Sequence, residues 1–128
     1  MANNAERTTY VDVDGALKRV MGNKKLYKRL LMSFTGDTNH EKLKEALDGG
    51  SYTDAASAAH AIKGVCANLS INELYEKSKE LEMFFKDLAA NNPGADPTSS
   101  GAMKLFEEFN QVREISMMYV EQVMNEIE

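Results

Sequence analysis

Residues 70–88, SINELYEKSKELEMFFKDL, place Leu74, Ser78, Leu81, Phe85 and Leu88 at alternating steps of four and three. Apolar or small residues at that spacing fall on one stripe of a helix and form the seam by which bundle helices pack, whereas a strand would alternate every second residue. Between them Glu73, Glu76, Glu80 and Glu82 read as a charged, solvated face. Ser70, with Glu73 three residues on, has the form of a capping box, so a helix is expected to start here and the preceding one to stop near Asn68.

The same periodicity extends outward in both directions. Downstream, NNPGADPTSSG (residues 91–101) holds both prolines of the chain and reads as a loop. A last long helix follows from about Ala102 to Ile127, with Met103, Phe106, Met117, Val120, Met124 and Ile127 turned inward. Upstream, Ser51 or Thr53 can open a helix, and Gly49-Gly50 ends the one before it. Asn23 can cap a helix in which Tyr27, Leu30, Leu31 and Phe34 share a face, while Leu43 and Leu47 do not continue that stripe in phase. A kink or break is therefore expected at Thr35-Gly36-Asp37. A short first helix, from about Asp12 to Met21, presents Val13, Ala16, Leu17 and Val20. The expected fold is all-α: an antiparallel four-helix bundle with a short extra N-terminal helix, forming one domain over residues 1–128.

Composition removes several classes of function. The net charge is −5, and residues 65–128 carry 12 acidic against 5 basic side chains. Nucleic acid calls for a basic stripe, so it is not an expected partner. The single cysteine, Cys66, cannot form an internal disulfide, and MANNAERTTY lacks the apolar core of a signal peptide, which together suggest the cytoplasm. No run of about 18 apolar residues exists to span a membrane. One bundle of this size closes its own core, so a monomer is expected.

The chemistry concentrates in AAHAIKGVCANLS, residues 58–70, which holds one of the chain's two histidines. At about 100° per residue, with His60 as zero, Ile62, Val65, Cys66 and Leu69 fall between about 140° and 240° and define the buried stripe. His60 then faces away from the core, with Ala56, Lys63, Gly64 and Ala67 within about 60° of it. Most surface histidines do no chemistry, and an exposed polar residue on an alanine-rich helix is the plain reading. Its neighbours point elsewhere. An imidazole that attacks phosphorus must be exposed and neutral, a lysine one turn away can balance a phosphoryl charge, and a glycine there removes bulk. Glycine inside a helix costs about 1 kcal/mol relative to alanine, so its presence calls for a reason.

His60-Ala61-Ile62-Lys63-Gly64 resembles the H-x-[hydrophobic]-K-G signature of histidine-containing phosphotransfer (HPt) domains, and Ala67-Asn68-Leu69 continues in the same manner. Leu74, Ser78 and Leu81-Glu82 are similar to the L-x-x-x-[small]-x-x-L-E of that family's next helix, and VDVDGALKRVMGNKKLYKRLLMSF to its leading segments. The resemblance spans about residues 10 to 90. Val65, Cys66 and Ser70 depart from residues common in the family. The resemblance implies a phosphocarrier without kinase activity, in which His60 accepts the phosphoryl group on Nε2, Lys63 stabilises its charge and Gly64 gives steric access. It implies partners with receiver domains, those of response regulators or of a hybrid histidine kinase. It implies no cofactor of the chain's own, the Mg²⁺ coming from the receiver.

Other readings compete with it. A Cys66–His60 thiol pair is excluded because the two lie about 240° apart on one helix. His40 and His60 lack companion metal ligands at a suitable spacing, and His40 reads as solvated. The eight methionines could line an adaptable groove, but at helical spacing they read as core. Two functional rivals stand: a helical interaction module that binds a receiver or kinase without carrying phosphate, and the substrate domain of a chemotaxis-type histidine kinase.

Overall fold

The computed structural model describes residues 4–127. Among these the chain forms seven helices and no strand: α1 (Asn4–Tyr10), α2 (Val13–Arg19), α3 (Lys24–Thr35), α4 (Asn39–Asp48), α5 (Tyr52–Leu69), α6 (Asn72–Asn91) and α7 (Ala102–Glu126). The expected all-α class holds. Helix α5 packs chiefly against α6 and α4, and α6 against α7. Across the core, His40 of α4 stacks near Phe106 and Phe109 of α7, at centroid distances of 5.9 and 6.1 Å.

The break expected at residues 35–37 is present. Helix α3 is capped by Asn23, whose Oδ1 accepts from Leu26 N at 3.0 Å, and it ends at Gly36. Asp37 Oδ1 then accepts from Asn39 N at 2.7 Å, and α4 starts. The part of the expected second helix that packs along α5 is thus mainly α4, while α3 touches both α5 and α7. At Gly50, φ is +73°, and the Ser51 N–H bonds back to Ala46 O at 2.8 Å, closing α4 with a left-handed turn. Ser51 caps α5 by accepting from Asp54 N.

The sequence reading has no counterpart to α1, because NAERTTY has too few apolar residues for a helical stripe. Tertiary contacts hold it: Arg7 pairs with Glu126 at 2.5 Å, and the Tyr10 ring lies 5.7 Å from that of Tyr119. The capping box at Ser70 does not form. Ser70 is instead the left-handed C-cap of α5, with φ +54°, and its hydroxyl accepts from the Arg19 guanidinium. Its carbonyl accepts from Asp12 N at 3.0 Å, so Ser70 ties α2 to the α5–α6 corner, and Ile71 stands at the N-cap of α6, which has no side-chain cap.

In α6 the seam is as expected: Leu74, Ser78, Leu81, Phe85 and Leu88 are all buried. In α7 the buried face is rotated. Phe106, Val120 and Ile127 are buried, but Phe109, Tyr119 and Val123 fill the core where Met103, Met117 and Met124 are only half-buried. Met21, Met32, Met83 and Met118 are exposed, so methionine is not the core residue here that its spacing suggests. The loop after α6 is pinned by the Tyr52 hydroxyl, which donates to Ala95 O. No helix among the described residues is long and apolar enough to cross a membrane.

Candidate functional site

Helix α5 buries Ala55, Ala59, Ile62, Cys66 and Leu69 and leaves His60 and Gly64 outside, as the angular reading requires, while Val65, expected on the buried stripe, is only half-buried at its edge. The His60 side chain is 67% exposed. Ala56, expected on the open side with it, is buried at 5%, because α6 crosses above that part of α5. Alanines on α5 let α6 approach closely there. The approach leaves a groove of about 550 Å³ beside His60, lined among others by Thr53, Ser57, Glu82 and Lys86.

The sequence reading places Glu82 on a solvated face; in the fold it is 4% exposed and lies beneath His60. Its Oε2 is 2.9 Å from His60 Nδ1 and 2.8 Å from Lys86 Nζ, and its Oε1 is 2.6 Å from Lys63 Nζ. Lys63 meets Oε1 as an ion pair, off the direction of a good hydrogen bond. Burial pushes the carboxyl group upward, but Lys63, Lys86 and His60 outweigh it and hold the group at about 2. Glu82 is therefore an anion at neutral pH. Of the other members of its charge run, Glu76 and Glu80 are exposed and Glu73 is half-buried. The signal that could have found Glu82 is its place next to Leu81, at the edge of the buried seam.

A carboxylate only accepts hydrogen bonds, so His60 Nδ1 donates to Glu82, and the tautomer this selects carries its lone pair on Nε2, on the side away from Glu82. Lys63, one turn along α5, is drawn down onto the same carboxylate and is 26% exposed. Gly64 is exposed, and a Cβ built there would meet nothing within 4 Å. The fold itself therefore does not require glycine at this position.

The remaining candidates are placed elsewhere. Cys66 is fully buried on the opposite side of α5, and burial, with Asp37 adding to it, raises its thiol to about 12. We expect Cys66 to ignore Ellman's reagent at pH 8 in the folded protein and to react in full in denaturant; rapid native labelling would contradict this packing. His40 is half-buried rather than simply solvated: besides its ring contacts, its Nε2 lies 2.7 Å from Asn110 Oδ1. Among the described residues no three His, Cys, Asp or Glu side chains are grouped to hold a metal ion.

A family model described as the Hpt domain matches residues 33–116, which run from the end of α3 into α7 and include His60, Lys63, Gly64 and Glu82. The similarity noted over residues 10–32 lies outside that match. No curated protein and no solved structure matches the chain.

Proposed function

Since the chain belongs to the Hpt domain family, whose members carry phosphoryl groups on histidine in two-component signalling and work with response-regulator receivers, we propose that His60 is the phosphoacceptor of a phosphorelay intermediate. The observation that carries this reading is the buried carboxylate of Glu82, which holds Nδ1 of the exposed His60 and leaves Nε2 on the far side of the ring.

In the proposed transfer, the Nε2 lone pair attacks the phosphorus of a receiver's aspartyl phosphate. The Nε2–P bond forms as the acyl O–P bond breaks, and the aspartate leaves with the electron pair as a carboxylate. The proton stays on Nδ1, so the ring becomes cationic, and Glu82 faces that charge. In the reverse direction the ring is the leaving group and regains a lone pair. Lys63 neutralises part of the phosphoryl charge. In this reading the Mg²⁺ is supplied by the receiver's aspartate pocket, and both oxygens of Glu82 face lysine or imidazole nitrogens. The carrier has no kinase activity of its own in this reading.

Gly64 supports the same reading. Because a side chain there would meet only solvent, its absence matters only to a body that approaches from outside. Gly64→Ala should raise the melting temperature by about 3 °C, from a helix gain of about 1 kcal/mol. Gly64→Leu should slow transfer from a receiver at least about tenfold without lowering stability, since a docked partner needs the reacting atoms at about 3–3.5 Å. Normal transfer by Gly64→Leu would remove the steric argument.

The direct test is to incubate the protein with phosphorylated receiver domains and Mg²⁺ and to look for acid-labile, base-stable phosphate on it. Label supports the carrier. Tight receiver binding without label would favour the interaction module.

A further inference from the structure

Two lysines reach Glu82, and they are not equivalent. Lys63 Nζ is held on Oε1 and its side chain is 26% exposed, whereas Lys86 is 66% exposed and shares Oε2 with His60 Nδ1. The groove beside His60 is lined by Lys86 and not by Lys63. On the phosphocarrier reading above, we propose that Lys86 is a second phosphoryl-binding residue, which passes from Glu82 to the phosphoryl oxygens when His60 Nε2 is phosphorylated.

The argument is one of charge and reach. Before transfer, one carboxylate faces two ammonium groups and a ring that must be uncharged to attack, which leaves an excess of positive charge. Transfer adds about −1.5 to −2 on the phosphoryl group and one positive charge on the ring. The new ring cation faces Glu82 through Nδ1, so Glu82 keeps Lys63 and the ring as partners and no longer needs Lys86. With Lys86 on the phosphoryl group the site returns close to neutrality; with Lys63 alone it stays anionic. A lysine is a point charge on a flexible four-carbon stem and can make the move without rearranging α6. Lys86 Nζ and His60 Nδ1 are already 2.8 and 2.9 Å from one oxygen, so the distance to cover is that between the two sides of an imidazole ring. Thr53 and Ser57 put hydroxyl-bearing residues in the same groove, so the phosphoryl group enters polar surroundings.

The test uses the full chain and two phosphoryl sources: phosphoramidate, which phosphorylates histidine directly, and a phosphorylated receiver. Wild type, Lys86→Gln and Lys86→Arg are compared by ³¹P NMR. Lys86→Gln should raise the ionisation midpoint of the phosphoryl group by about 0.5 pH unit, because a nearby cation favours the dianion. It should also shift the equilibrium with the receiver roughly fivefold toward aspartyl phosphate, and Lys86→Arg should restore most of both. Wild-type values in Lys86→Gln would overturn the assignment and leave Lys63 as the sole phosphoryl-binding cation. A wild-type protein that takes no phosphoryl group from either source would overturn the carrier reading itself. A purely structural Lys86 would alter the melting temperature and leave the phosphoryl titration unmoved, which also counts against the assignment.

Discussion

His60→Gln is expected to abolish phosphoryl acceptance while leaving the far-UV circular dichroism spectrum unchanged and the melting temperature within about 2 °C. The fold is spared because the ring is 67% exposed and, among the described residues, bonds to Glu82 alone. A glutamine amide can still donate to that carboxylate, so the buried anion keeps an N–H partner beside its two lysines. What the amide lacks is a nitrogen lone pair able to attack phosphorus, so the loss is of chemistry and not of degree. The readout is acid-labile, base-stable phosphate after incubation with a phosphorylated receiver. His40, the other histidine, is no substitute: it is packed near Phe106 and Phe109, with Nε2 against Asn110. Label that persists in His60→Gln would therefore mean that the acceptor is not where α5 exposes it, and a collapsed spectrum would mean that His60 supports the fold.

What could be read without coordinates follows from which interactions are local. The helix that carries His60, the seam of α6, the Asn23 and Ser51 caps and the break at Gly36 are set by residues within a few positions of one another, and each is where the sequence puts it. The orientation of His60 follows from the same local arithmetic. The misses depend on contacts between distant segments. Helix α1 exists through Arg7 to Glu126 and Tyr10 to Tyr119, which no window of ten residues contains. Ser70 has the local form of an N-cap, but Arg19 takes its hydroxyl and the chain turns left-handed there instead. Glu82 is the instructive case. A glutamate among glutamates reads as solvated, and only the crossing of α5 and α6 brings Lys63 and His60 onto it. Buried charges are rare and are tolerated where partners are supplied. The residue that most shapes the site was thus hidden by the rule that serves well for its neighbours.

Glu82→Gln should reduce the rate of transfer by at least about tenfold, and by up to about 10⁴-fold, the loss seen when the carboxylate that holds Nδ1 of a reacting imidazole is made neutral. The amide can still accept from Nδ1, so the ring keeps its place; the negative charge that faces the developing ring cation is gone. The same substitution leaves Lys63 and Lys86 as unneutralised cations beside the ring and destabilises the fold. Its pH dependence separates this cause from simple loss of packing. The carboxyl group sits at about 2 in the folded protein against an ordinary 4.5. A group lowered on folding contributes stability that is complete above the unfolded value and disappears as pH falls through the folded value. For Glu82 the window runs from about pH 4.5 down to about pH 2. The contribution is about 1–3 kcal/mol, allowing for screening around the exposed Lys86. Urea unfolding of the wild type and Glu82→Gln at pH 7, 4, 3 and 2.5 should show a gap of that size at neutral pH that narrows steadily on acidification. A gap that stays constant across the window would mean that Glu82 contributes through shape alone, and the polarisation of His60 by a buried anion would have to be given up.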